Sequence, residues 1–531
     1  MLAKIYGCAI SGIDAFRVTV EVSVTNGIGY TITGLPDDGI KESLSRIAIA
    51  ITSNGYYMPR TKLVINLAPA DVRKSGTAFD LPIALGILLA TDQVNDLDKL
   101  QDYLIAGEIG LDGKIYPVRG ALCMAGVAYR EKLKGILLPS ANAKEAALDE
   151  NVHVFPIGEL KDIIGFISND FEIKPVIPVK ILKCNVYDGP DFKDVKGQQH
   201  IKRALEIAVA GGHNTILIGP PGSGKTMLAK RLTSIIPPMS IAEALETTKI
   251  YSIIKSSEPF TGLITERPFR NPHHTSSDIA LTGGGSFCIP GEISKAHNGI
   301  LFLDELPEFK RSAIEVLREP LEERKIRIAR AQMSVEYPAS FMLVASMNPC
   351  LCGNFNHPQK QCTCSKRAIY WYRRKISGPL LERIDLHVEV DAVPFSEMME
   401  QENGEPSSVI RQRVIKARNI QSERFIKMKE VHCNAQMPDK YIDDFCKPDA
   451  PARHFLFTKI EALQLSARSY SRILKISRTI ADLDGSTCIE LNHIAEAIHF
   501  RSLDKPLVIP YNKKAGLKAN GNFSIHKKEV I

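Results

Sequence analysis

The spacing of apolar positions divides this 531-residue chain into three stretches. Over residues 1 to about 170, VTVEVSV (18–24) and KLVINLAP (62–69) show the alternating or continuous apolar character of strands. KESLSRIAIAITSNG (41–55) has a helical period and ends on Gly55, a good helix stop. The Pro-rich EIKPVIPVKILK (172–183) suits an extended linker. From 193 to 395 helices and strands alternate: HIKRALEIAVAGG leads into TILIG, and the apolar runs at 300–303 and 341–346 suit buried parallel strands. Beyond 396 the pattern is helical, in VIRQRVIKARNIQ, LQLSARSYSRILKISRTIADL and LNHIAEAIHFRSL. The last twenty or so residues have the composition of a flexible tail.

Length alone calls for two or three hydrophobic cores. No apolar run is long enough to span a bilayer, and the N-terminus does not read as a signal peptide. A cytoplasmic protein with its eleven cysteines reduced is therefore expected. Net charge is +7, and residues 401–531 supply all of it, with 22 Lys and Arg against 15 Asp and Glu. That excess fits either a solvated helical face with a basic tail or a phosphate-rich partner.

The chemistry centres on GPPGSGKT (219–226), which satisfies G-x-x-x-x-G-K-[ST] between a strand and a helix. Gly219, Gly222 and Gly224, with Pro220, Pro221 and Ser223, form a loop that can cradle phosphates. Lys225 is expected on the β/γ-phosphates and Thr226 on Mg²⁺. ILFLDE (300–305) then offers Asp304 to the same Mg²⁺ and Glu305 to the attacking water. A third strand ends on Asn348, whose amide can orient that water or simply cap a turn. Arg383, before another apolar strand, and Arg468, opening a basic helix, read either as site residues or as surface ion pairs.

These motifs resemble the ComM/YifB family of magnesium-chelatase-like AAA+ proteins over nearly the whole chain. The resemblance is carried by FKDVKGQQHIKRALEIAVAGGHN, PFRNPHHTSSDIALTGGG, PGEISKAHNGILFLDELPEF, SMNPCLCG and GPLLERIDLHVEV. It implies a multidomain α/β protein: a Lon-protease-like α+β domain (1–170), a linker (171–192), a P-loop AAA+ core of helix-2-insert type (193–395), an all-helical lid (396–505) and a basic flexible tail (506–531). It makes Asn348 sensor 1, Arg383 an arginine finger acting on a neighbour's ATP, and Arg468 the sensor-2 arginine. A finger used in trans implies a homo-hexameric ring. Family members drive DNA branch migration during homologous recombination of incoming DNA. The alternative is a remodelling ATPase acting on a protein partner, as the chelatase I subunit does.

Three further expectations follow. Around LIAGEIGLDGKIYPVRGALCMAGVA the chain looks like the second half of a Lon-type Ser/Lys protease. Ser75 or Thr77 would be its nucleophile, but Met124 stands at the expected lysine, so proteolysis is expected to be absent, with Lys132 as the one substitute considered. Cys350, Cys352, Cys362 and Cys364, with His357 between the pairs, suit structural Zn²⁺ or are four unligated thiols. In related helix-2-insert rings, hairpins grip DNA in the pore. The corresponding segments are 275–297, with Lys295, and 323–336, with Arg324, Lys325, Arg327 and Arg330. His273 and His274 carry no assigned chemistry.

Overall fold

The computed structural model describes residues 2–504 except 95–96, 179–188, 255–261, 286–287, 331–332, 356, 358–359, 392–403 and 429–430. Part of the expected linker, the start of the expected lid and the whole 506–531 tail lie outside the described residues.

The N-terminal region is a mixed seven-stranded sheet. In spatial order it runs Tyr30–Thr33, Lys62–Ala68, Asp14–Thr25, Leu2–Ser11, Tyr103–Ile105, Gly135–Pro139, Val154–Ile157. Leu2–Ser11 pairs antiparallel with Asp14–Thr25 through a two-residue turn at Gly12, while Gly135–Pro139 pairs parallel with both of its neighbours. Helix Asp38–Ser53 starts at Asp37, whose carboxylate accepts from the Ile40 N–H at 2.9 Å, a side-chain N-cap. Helix Asp80–Ala90 is buried at every position, as expected of a segment apolar on all sides.

The second region is built on five parallel strands. Their order is Phe269–Arg270, Ile300–Leu303, Met342–Met347, Thr215–Ile218, Leu386–Glu389. Thr215–Ile218 and Ile300–Leu303 are wholly buried runs, which is the pattern of strands covered on both faces. The N-terminal region docks here through helix Ala121–Arg130, which packs against helix Ile241–Ile254. At that joint the Gly120 N–H donates to Ser252 O at 3.1 Å, and the Ser252 hydroxyl donates to the Glu145 carboxylate. Burial pushes the Glu145 carboxyl above its ordinary range.

Helices Ser407–Arg424, Ala450–Leu463, Ala467–Asp484 and Leu491–His499 form the C-terminal region. They share an apolar core with helix Gln199–Gly211 of the second region. A buried polar joint pins the two together. Asp385 lies 3.1 Å from Arg472 and 3.3 Å from His213 Nδ1, and His213 Nε2 lies 2.8 Å from the Thr479 hydroxyl. Arg501 donates to the Ile384 carbonyl at 2.8 Å. Burial alone would raise the Asp385 carboxyl, but Arg472 and His213 draw it well below the usual carboxylate range.

Breaking this joint from one side leaves Arg472 and His213 facing a cavity. Asp385→Ala is therefore expected to cost about 3–5 kcal/mol in denaturant unfolding of the second and C-terminal regions. Because the folded carboxyl titrates below its unfolded value, its contribution is complete above about pH 4 and is lost only as pH falls further. A loss below about 1 kcal/mol would mean that the joint is not what holds the lid.

Candidate functional site

Because the five strands are parallel, their C-terminal ends share one edge, and the loops leaving that edge meet there. The P-loop leaves strand Thr215–Ile218. It begins at Gly219, where a Cβ would collide with the Val390 carbonyl, and curls through Gly222 and Gly224, both at positive φ. Helix Lys225–Ile235 follows directly. Lys225 Nζ donates to the Gly219 and Pro220 carbonyls at 2.8 and 2.9 Å and reaches Asn348 Oδ1 at 3.3 Å. Burial draws its ammonium pKa down, opposed by Asp304 and Glu305.

Across the cleft, Asp304 accepts from the Thr226 hydroxyl at 2.7 Å. A hydroxyl and a carboxylate held this close are two oxygen donors suited to one hard cation, so the residues fit Mg²⁺. The buried Ser223 hydroxyl has no partner among the described residues, as fits a loop built to meet a phosphate group. Glu305, next along, has φ 55°, a left-handed conformation that costs a non-glycine residue energy. Ser346 holds it there: its hydroxyl accepts from the Glu305 N–H at 3.0 Å and donates to the other Asp304 oxygen. Glu305 keeps its side chain 55% exposed, where a water molecule can reach it.

Two residues of this cleft carried no role in the sequence reading. Ser346 sits inside an apolar strand, and only its neighbours' geometry reveals it. His274 comes within 3.8 Å of the Glu305 carboxylate and stacks on His273 at 4.1 Å between ring centroids. The PHH motif marks this pair in the sequence but gives it no chemical role.

The two arginines are elsewhere. Arg383 precedes strand Leu386–Glu389 and its carbonyl accepts from Asn214, so it lies at the N-terminal edge of the sheet. A four-residue strand, about 13 Å, separates that edge from the P-loop. Arg383 is buried against Glu322 at 2.5 Å. Arg468 joins it there, 3.0 Å from Glu382.

The four cysteines do converge. All four sulfurs lie within 4.8 Å of one another, with Cys350–Cys352, Cys350–Cys362 and Cys352–Cys362 at 3.4, 3.7 and 3.6 Å. Tetrahedral zinc at about 2.3 Å from each sulfur would set them about 3.8 Å apart. Backbone N–H groups of Asn354 and Thr363 bring the Cys352 thiol down to about 5. His357 is not part of the cluster; its ring accepts from the Lys360 N–H. The loop presses on the P-loop, since a Cβ on Gly353 would run into Pro221.

The basic candidates divide. Lys295 pairs with Glu292 at 3.1 Å, and Arg327 pairs with Glu336 at 3.1 Å and Glu323 at 3.6 Å. Arg324 is turned inward and donates to the Phe341 carbonyl. Arg330 is exposed and has no ion pair among the described residues.

Comparison with known proteins agrees with this geometry. Residues 191–398 match the family model for magnesium chelatase subunit ChlI, residues 20–142 a second ChlI model, and residues 404–501 the ChlI C-terminal model. The competence protein ComM of Haemophilus influenzae is 40% identical over 507 residues, covering 94% of this chain and 98% of that protein. YifB of Escherichia coli is 39% identical, covering 96% and 98%. The chain belongs to the ComM/YifB family. It is a magnesium-chelatase-like AAA+ ATPase. The ChlI subunit of Guillardia theta is 27% identical over 30% of this chain.

Substitution should separate the roles. Lys225→Ala is expected to abolish ATP binding, and Glu305→Gln to keep binding but stop turnover. Ser346→Ala should slow turnover about tenfold, the worth of a hydrogen bond to a charged group, with nucleotide binding largely kept. Steady-state ATPase and fluorescent-nucleotide binding measure all three; full turnover in Glu305→Gln would remove it as the base.

Proposed function

We propose that this ATPase assembles into a homo-hexameric ring that translocates on single-stranded or branched DNA, acting in recombination of incoming DNA. In this reading Mg²⁺, bound with ATP, neutralises phosphate charge. Thr226 and Asp304 hold it, Lys225 steadies the phosphates, and Glu305 takes a proton from water that Asn348 orients. Arg383 and Arg468, at the far edge of the sheet, serve the ATP of the adjacent chain. The name of the Haemophilus relative, a competence protein, fits a role with incoming DNA. Among the described residues no helix is long and apolar enough to cross a membrane.

The observation that carries the DNA reading is a pair of hairpins lying side by side. One pairs Gly283–Gly284 with Ile289–Pro290; the other pairs Lys325–Arg330 with Met333–Pro338. They are joined by the Tyr337 hydroxyl, which donates to Cys288 O at 2.8 Å, and by the close approach of Gly283 to Ile328. Arg330, at the last paired position of the second hairpin, is exposed and has no ion pair among the described residues. The neutralisation of Lys325 and Arg327 by Glu336 favours the second reading, a motor that grips a protein partner instead.

The N-terminal region is read as a Lon-like shape without protease function. Thr77 donates to Glu108 at 2.5 Å, Met124 is buried in the docking helix, and Lys132 is exposed beyond it. Lys74, beside Ser75, donates to the Pro69 carbonyl.

ATPase rate should rise on adding single-stranded or forked DNA. Affinity should fall steeply with salt, and Arg330→Ala should weaken binding to all sequences and flatten the salt slope by about one unit. No DNA complex at low salt, with stimulation by a protein partner, would favour the second reading. Separately, metal analysis should find one Zn²⁺ per chain, lost in Cys362→Ser; a metal-free chain with unimpaired ATPase would exclude a structural zinc.

A further inference from the structure

At the N-terminal edge of the parallel sheet, the second region and the C-terminal region line a half-open cavity of about 60 Å³. A water molecule needs about 10–15 Å³ of such space, so there is room for a group of about five heavy atoms. Three guanidinium groups from separate elements line it. Arg267 comes from the segment before strand Phe269–Arg270, Arg324 from the root of the second hairpin, and Arg418 from lid helix Ser407–Arg424. His432 also lines it.

The positive charge there is not balanced. Among the described residues Glu243 is the single carboxylate lining the cavity, and it is engaged by Arg267 at 3.0 Å. The other Arg267 bonds go to the carbonyls of Pro237, Asn298 and Pro238. Arg324 makes one side-chain bond, to Phe341 O at 3.2 Å. Arg418 donates to His432 O and Val209 O, and its buried Nε has no partner among the described residues. Arginine does not shed its proton to relieve such crowding. Two surplus guanidinium charges, both half-buried, are costly unless an anion meets them.

We propose that this cavity is a binding site for a single tetrahedral oxyanion, with inorganic phosphate as the ligand. A nucleotide is too large for the space. A tetrahedral oxyanion offers several acceptor oxygens to planar guanidinium forks and brings up to two negative charges. Burial and the nearness of Arg418 push the Arg267 pKa down, opposed by Glu243, and burial does the same to Arg324. A bound anion reverses that penalty. Because Arg418 belongs to the lid and Arg324 to the root of the hairpin carrying Arg330, the anion ties the lid to that hairpin. The assignment does not depend on the DNA reading.

The test is thermal unfolding of the full chain in the Lys225→Ala background, which removes phosphate binding at the P-loop. Inorganic phosphate replaces chloride at constant ionic strength. The melting temperature should rise with the logarithm of phosphate concentration. Arg324→Gln and Arg418→Gln should each weaken that dependence at least tenfold. In phosphate-free buffer Arg324→Gln should melt no lower than its parent, because it removes repulsion and one weak bond; a merely structural arginine would lower it. Should Arg418→Gln fail to fold, Arg324→Gln decides alone. A parent indifferent to phosphate, variants that keep the full dependence, or acetate matching phosphate would each overturn the proposal.

Discussion

Five short strands running in one direction fix what a single chain can and cannot do. Their shared polarity delivers Lys225, Asp304, Glu305 and Asn348 to one edge, close enough for Lys225 to touch Asn348 and for Thr226 to touch Asp304. The same polarity sends Arg383, which enters rather than leaves a strand, to the opposite edge with Arg468. The arginine proposed to stabilise developing phosphate charge thus stands about one strand length from the cleft of its own chain.

The rest of the structure braces these two edges. At the cleft, Ser346 secures the strained backbone of Glu305 and orients Asp304, while the cysteine loop rests on Pro221 of the P-loop. At the far edge, Asp385 follows Arg383 by two residues and is gripped by His213, just ahead of strand Thr215–Ile218, and by Arg472 of helix Ala467–Asp484. The C-terminal region is thus tied directly to the segment that carries Arg383. The N-terminal region is fastened to helix Ile241–Ile254 through apolar packing and the Glu145–Ser252 bond.

Much of this was legible in the sequence where a physical rule is local. The P-loop glycines, the apolar runs ending in Asp304 and Asn348, and the helices around 407–424, 467–484 and 491–499 all occur where periodicity and punctuation put them. What stayed hidden depends on contacts distant in the chain. Ser346 looks like any small residue in a buried strand, and His274 gains meaning only from Glu305 thirty residues on. Charge counting grouped Arg324, Lys325, Arg327 and Arg330 as one basic set; folding turns Arg324 inward and pairs Lys325 and Arg327 with Glu336, leaving Arg330 exposed. Spacing proposed the cysteine cluster, and the fold alone could bring its two halves together.

The central claim is that one chain supplies the phosphate-binding cleft and its neighbour supplies the arginine. ATP turnover by mixed assemblies of Arg383→Ala and Lys225→Ala chains, each inactive alone, tests it most directly. Some junctions in such an assembly join an intact P-loop to an intact Arg383. The account predicts recovered turnover that varies with the mixing ratio. Absence of recovery in assemblies shown to contain both chains, or full turnover by an isolated monomer at saturating ATP, would contradict it.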